Sequence, residues 1–391
     1  MLSRKKLAVA VIAASALIAS SSPAFAATLN GSGATFATPL LDACKVDFNK
    51  DTGHNINYTG GGSGKGRNDF ASGLVDFAGS DTAYTVGEPT NLVYAPIYAA
   101  PIAVMYNLPT VKESIYLTPR TVAKIFSGYI TNWNDKAIAA DNERTVKTPV
   151  FQTKTVTVKD KNKKNVKKTV PVLDKAGKPV IASYTTKSVS IDLPDQAITV
   201  WYRTDSSGTS ENFTAWLKAT NLKNADWPRA KNGVFANAAP TGVSGLFNFQ
   251  GASGSAATAA GVVGKVGAVT YGELNFATDN KLAVANISNA AGEFVAPSAA
   301  GTTTFLAGGT LGSNGVITPD YVKPVSGAYA LGTLSYGLAY SSGKNPTTQK
   351  IVAEWFTYVL DKCATKYPEK GFAQITGPIY DKAKAQIALI K

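Results

Sequence analysis

Short apolar strands alternating with helices of moderate length predict an α/β protein built in layers. Two further observations agree. Of the 391 residues, 45% are hydrophobic, enough core to exclude a disordered chain, and the length suits two or three domains. Small residues also recur where a strand gives way to a helix, the place where layered folds hold ligands.

The elements follow in chain order. Arg4, Lys5 and Lys6 precede an uncharged apolar run over 7–18, and Ala24-Phe25-Ala26 supplies a small-x-small cleavage pattern. The run falls short of the roughly 20 residues that span a bilayer. Export, cleavage after Ala26 and a soluble periplasmic or secreted protein are therefore expected, with no lipid-attachment cysteine nearby. A glycine-rich turn is expected at 30–35, then a helix over 39–50 with Thr38 as cap and Pro39 in its first turn. A strand at 55–58, a loop at 60–66, a helix and a buried strand at 75–78 come next. A long strand over 97–106 could carry the chain out of this unit. Helices are expected at 118–126 and 135–140, a strand at 197–202 and a helix ending near Lys218. Ser255–Val263 reads as a helix, 268–270 as a strand, 330–339 as a strand and 347–365 as a long amphipathic helix. Signals over 277–328 are weak.

Two cysteines and one histidine, His54, exclude a disulfide-rich scaffold, a Cys-based zinc site and most His-relay hydrolases. Cys44 shares a helical stripe with Leu40, Leu41 and Phe48, and Cys363 follows Phe356, Val359 and Leu360 at similar spacing. Outside the cytosol such a pair tends to oxidise, so a structural Cys44–Cys363 disulfide is expected, the alternative being two separate buried thiols.

The charge is local. The formal net charge is +13, and the stretch 154–187 alone holds ten lysines against two aspartates. Alternation in Thr155-Val156-Thr157-Val158 and Thr169-Val170-Pro171-Val172 reads as a protruding lysine-rich β-hairpin or meander. It is either a solvated insertion or a contact for an acidic surface or polyanion. Nucleic acid is not expected, because aromatics and arginines are not interleaved with the lysines.

Three loops share one design. Gly31-Ser32-Gly33-Ala34-Thr35-Phe36, Gly60-Gly61-Gly62-Ser63-Gly64 and Ser206-Ser207-Gly208-Thr209 each place small residues at a helix start. There the unpaired N–H groups and the positive end of the helix dipole can meet an anion closely. Arg203 stands just before the third. A nucleotide loop is excluded at Gly64-Lys65, which has Thr59 and Gly66 where a Walker motif needs Gly and Ser or Thr.

Taken in order, 31–36, 58–64, 75–81 and 203–209 resemble the four ligand loops of PstS-type phosphate-binding proteins, extracytoplasmic receptors of phosphate ABC transporters. The resemblance extends to 125–138, with its Phe-Ser-Gly-x-Ile-x-x-Trp run, and to 267–273. It covers most of the chain apart from 145–190 and 277–328. It implies a two-lobe periplasmic-binding-protein (type II) fold with the ligand between lobes. The lobes would combine 27–105 with 331–391 and set them against 106–330, which carries the basic insertion 145–190. The implied phosphate contacts are the amides of Thr35 and Phe36 with the Thr35 hydroxyl, Ser63 through amide and hydroxyl, and the Asp81 carboxylate. Arg203, the Ser207 hydroxyl and the amides of Gly208 and Thr209 would complete the set, with Asp205 orienting Arg203. Lys65, Arg67 and the lysine-rich insertion are additions to the family pattern.

These residue types suit phosphate. A guanidinium gives charge-assisted, potentially bidentate bonds. Asp81 can accept a hydrogen bond from protonated phosphate, whereas sulfate has no proton to give and would meet an unpaired buried charge. The resemblance implies an inorganic-phosphate receptor that delivers to ABC permease subunits, without cofactor, metal or catalytic residues, and acting as a monomer. A secreted relative with phosphatase activity, or one with a surface or adhesive role, is the alternative.

Overall fold

The computed structural model describes residues 26–391 other than 160, 162–163, 224 and 367–370. The expected leader, 1–26, lies outside the described residues except for its last one.

The first half of the fold is a parallel α/β unit. Strands β1 (Thr28–Gly33), β2 (Asn55–Gly60) and β3 (Phe77–Ser80) run parallel with β1 central, and helices α1 (Thr38–Thr52) and α2 (Ser63–Ala71) connect them. The glycines of 30–35 lie within or beside a strand instead of forming a turn. The reason is close packing: a Cβ at Gly31 would sit 2.3 Å from the Phe77 ring, and one at Gly33 2.0 Å from the Gly79 carbonyl oxygen. Thr38 is not a cap. Helix α1 starts after Ala37, and among the described residues neither a side-chain cap nor a partner for the buried Thr38 hydroxyl is found.

Strand β4 (Leu92–Tyr106) is buried along all but its first residue. After it come β5 (Tyr116–Leu117), α3 (Pro119–Phe126) and α4 (Lys136–Asn142). Thr118 caps α3 by accepting from the Thr121 amide, with Pro119 in the first turn, and Asp135 caps α4 by accepting from the Ala137 amide at 2.8 Å. The basic insertion forms two antiparallel pairs, β6 (Arg144–Phe151) with β9 (Ile181–Val189) and, beyond them, β7 (Thr153–Lys159) with β8 (Asn165–Pro171).

The second half repeats the α/β theme. Strands β10 (Thr199–Arg203), β11 (Phe249–Ala252) and β12 (Ala268–Glu273) run parallel, with α5 (Gly208–Thr220), α6 (Phe235–Ala238) and α7 (Ser255–Val263) between them. The weakly patterned 277–328 region contains α8 (Leu274–Asp279), completing just inside it, and α9 (Ala299–Leu306). It also holds the short strands β13 (Ala283–Val284), β14 (Asn286–Ser288), β15 (Phe294–Val295), β16 (Thr310–Leu311) and β17 (Ile317–Thr318). The chain then returns through β18 (Gly332–Tyr340) to α10 (Pro346–Tyr358) and α11 (Gly377–Ile387).

One sheet path links both halves in the order β11-β10-β12-β4-β18-β3-β1-β2. The pairing changes partway along β4. Its residues up to Pro101 pair with β18, and those from Ile102 onward pair with β12. The result is two α/β lobes sharing a continuous strand. The disulfide joins Cys44 in α1 to Cys363 beyond α10, with Cα atoms 5.7 Å apart, and both cysteines are buried. Among the described residues no helix is long and apolar enough to cross a membrane.

Candidate anion site between the lobes

Each predicted loop ends at the lobe interface because parallel strands deliver their C-terminal ends there. Thr35 and Phe36 follow β1, Ser63 opens α2, Asp81 follows β3, and Arg203 closes β10. Ser207 caps α5 by accepting from the Ser210 amide at 3.1 Å, so Gly208 and Thr209 occupy the first turn. Their amides therefore lack intrahelical partners. Neither the Thr35 nor the Phe36 amide takes part in the described main-chain bonds.

The site is buried: Ser63, Arg203, Ser207 and Thr209 are at most 1% exposed and Asp81 only 4%. A buried guanidinium needs partners. Asp205 provides them as a fork, accepting from Arg203 Nε at 2.7 Å and from Nη2, and a third donor, Nη1, reaches Ser255 Oγ at 2.8 Å. Two of the five N–H donors of an arginine are left to point elsewhere. Burial opposes the Arg203 charge, but Asp205 outweighs it and holds the guanidinium pKa above its usual value. Burial likewise pushes Asp205 up, and Arg203 overrides it to leave the carboxyl below the usual range. The pair is thus ionised and internally balanced.

Asp81 is different. Its Oδ1 accepts from Ser335 Oγ at 2.9 Å and its Oδ2 from Ser63 Oγ at 3.2 Å, while its amide donates to Ser63 Oγ at 3.1 Å. Burial first, and the nearby Glu273 carboxylate second, push its pKa up to about 7. Glu273, wholly buried, accepts from Thr209 Oγ1 at 2.9 Å and Ser255 Oγ at 3.2 Å, and its Oε2 has no hydrogen-bond partner among the described residues. Burial raises its pKa as well. The site therefore combines one fixed cation, free helix-start amides and a carboxyl poised to share a proton, an arrangement suited to a protonated tetrahedral oxyanion.

The predicted residues Thr35, Phe36, Ser63, Asp81, Arg203, Asp205, Ser207, Gly208 and Thr209 all come together here. Three participants were missed: Ser255, Glu273 and Ser335. Ser255 had a readable signal, since Gly251-Ala252-Ser253-Gly254-Ser255 repeats the small-residue design before a correctly predicted helix. The glycines also serve closure. A Cβ at Gly64 would lie 2.1 Å from Ser206 Oγ, and one at Gly208 2.4 Å from Ser63 Oγ. Lys65 pairs with Asp69, and Arg67 bonds Thr82 and lies 3.8 Å from Glu211. His54 stands apart, half-buried, accepting from the Ala27 amide at 3.2 Å. Among the described residues no group of three or more His, Cys, Asp or Glu side chains could hold a metal ion.

Comparison with known proteins identifies the family and the fold. A PBP superfamily domain model matches residues 19–362. The phosphate-binding protein PstS3 of Mycobacterium bovis is 29% identical over 340 residues, covering 82% of this chain and 75% of its own length. The phosphate-binding protein PstS of Pasteurella multocida is 26% identical over 375 residues, covering 92% and 90%. In fold, the chain is similar to the high-affinity periplasmic phosphate-binding protein PfluDING solved with phosphate, at a TM-score of 0.64 and 18% identity, over 92% of this chain and 93% of that one.

Proposed function

This chain belongs to the PBP superfamily and is of the PstS type within it, and from that premise we propose that it is a receptor that captures inorganic phosphate between its lobes and hands it to an ABC permease. The observation that carries the reading is Asp81: a buried carboxyl, held by Ser63 and Ser335 within the field of Arg203 and pushed up to about 7. Such a group rewards an anion that brings a proton. The ligand contacts in this reading are the amides of Thr35, Phe36, Ser63, Gly208 and Thr209, the hydroxyls of Thr35, Ser63 and Ser207, the Arg203 guanidinium and Asp81. Asp205 keeps Arg203 in place.

Lobe I comprises 27–105 with 331–391, and lobe II 106–330 including the insertion. The protein is exported with cleavage after Ala26 and works as a monomer without a cofactor. Its role is binding, not catalysis, in keeping with relatives that are binding proteins.

Isothermal titration of phosphate-free protein with phosphate, sulfate and arsenate tests the reading. Tight one-to-one phosphate binding with sulfate rejected is expected. Equal binding of sulfate, or no phosphate binding at all, overturns it.

A further inference from the structure

The arm between α4 and β10 has a sidedness that the anion site does not use. Among the described residues its strands pair only with one another, and none from 145 to 190 belongs to the hydrophobic core. The arm re-enters the lobe ahead of β10, whose far end carries Arg203. It therefore leaves lobe II on the side away from the cleft.

Side chains directly opposite in an antiparallel pair share a face, and faces alternate along each strand. In β7–β8 the pairs Lys154↔Val170, Val156↔Lys168 and Val158↔Val166 make one face. The other face is Thr153, Thr155 and Thr157 opposite Pro171, Thr169 and Lys167. Four valines thus stand together, interleaved with lysines, and Val158 and Val166 are 40% and 44% exposed. Where the first pair meets the second, Phe151 pairs with Ile181 and, two residues earlier, Pro149 with Tyr184, and Phe151, Ile181 and Tyr184 are again 43%, 42% and 55% exposed. Around these apolar groups the stretch 154–187 contributes ten lysines and two aspartates.

We propose that this arm docks on a lipid bilayer surface rich in anionic headgroups. The valine face enters the interface, and the lysines lay their aliphatic stems along it while their ammonium groups meet lipid phosphates. Charge complementarity selects an anionic partner, and the valines select a bilayer over a dissolved polyanion, which would engage the lysines and leave the apolar face wet. Docking by the arm leaves the cleft, on the opposite side of the lobe, open to its ligand. The proposal stands independently of what the cleft binds.

The test uses the chain from Ala27 onward, the whole of the described fold, co-sedimented with vesicles at near-physiological salt. Partition onto vesicles of about one-third phosphatidylglycerol in phosphatidylcholine is expected, with none onto phosphatidylcholine alone. Replacing Lys154 and Lys168, the two lysines on the valine face, together by Gln weakens it by at least roughly twentyfold, from about fivefold per lysine at the surface. Val158→Ser with Val166→Ser weakens it about tenfold, and thermal melting stays at the parent value because the arm lies outside the core. Should the serine variant melt early, Val158→Thr with Val166→Thr, close in shape, supplies the same measurement. The proposal is overturned if the chain ignores phosphatidylglycerol vesicles. It is equally overturned if the valine variants bind as the parent does and long-chain polyphosphate strips the protein off, since the partner is then an acidic polymer.

Discussion

Thr35 Oγ1 and Ser255 Oγ stand 3.2 Å apart although 220 positions separate them. The first heads toward α1 in one lobe, and the second opens α7 in the other. Ser255 Oγ also meets Arg203 Nη1 and Glu273 Oε1, so a hydroxyl of one lobe is wired to the guanidinium of the other. Gly64 N donating to Ser206 O at 2.9 Å, Asn212 Nδ2 to Asp81 O at 2.9 Å and Thr82 Oγ1 to Glu211 Oε2 at 3.0 Å bridge the same divide. The two lobes are therefore in direct contact across the site, as in the closed state of a hinge-closing two-lobe receptor.

Ser255→Ala removes the cross-lobe hydroxyl and one partner of a buried guanidinium. A bond to a charged group is worth about 1.5–3 kcal/mol, so phosphate affinity should fall roughly tenfold to a hundredfold, mainly through faster release. Stopped-flow dissociation rates equal to the parent's would show that the contact is idle.

Discrimination by Asp81 should depend on pH. With a pKa near 7, its carboxyl is neutral below that value and tolerates sulfate, and it is charged above and repels it. Preference for phosphate over sulfate therefore rises from pH 6 to 8, by up to about tenfold per unit. Asp81→Asn flattens the profile and admits sulfate. A steep profile surviving in the variant would assign discrimination elsewhere.

The same group governs the stability of the ligand-free protein. A carboxyl whose pKa is raised on folding stabilises fully below the unfolded value near 4, and that contribution is lost as pH climbs to about 7. Melting temperature without phosphate should decline across this window and level off above it. Asp81→Asn should remove most of the slope.

Glu273→Gln tests the coupling between the two carboxyls. Glu273 is the second cause of the raised Asp81 pKa, after burial. Removing its charge lowers the pH midpoint of sulfate rejection, while the amide oxygen still accepts from Thr209 and Ser255. An unmoved midpoint would mean that burial alone sets Asp81.

The disulfide closes a loop spanning a sequence separation of 319. Replacing Cys44 and Cys363 by Ser should cost roughly 2–5 kcal/mol of stability, because the unfolded chain regains that freedom. Both cysteines lie away from the cleft, so calorimetry at low temperature should find phosphate affinity unchanged. A large affinity loss would show that α1 positions the Thr35 loop only when tethered.

Much of the site was legible because its chemistry is local. A helix start that must approach an anion needs small residues in sequence, and the loops around Thr35, Ser63 and Gly208 display them. Asp205 came with the family resemblance, and the structure sets its carboxylate against the Arg203 guanidinium. Glu273 and Ser335 were not, because only tertiary packing brings β12 and β18 to Arg203 and Asp81. In the fold, inward-facing cysteines and long apolar strands announced themselves. Strand β1 did not, since its glycines answer to Phe77 and Gly79 of β3, four elements further along the chain. The pocket glycines carry a second meaning of the same kind: Gly64 and Gly208 make room for side chains of the opposite lobe.

The shared strand β4 has a mechanical corollary. Its ladder changes partner between Pro101 and Ile102 without a break, and the Tyr329 hydroxyl fastens the Ile102 carbonyl at 2.8 Å while the Ile102 amide holds Leu331 O at 2.9 Å. The lobes cannot separate there as two bodies on a slack tether. Any rotation of one lobe against the other has to be taken up by a few torsions in a clamped ribbon, which ties such a movement to one geometry.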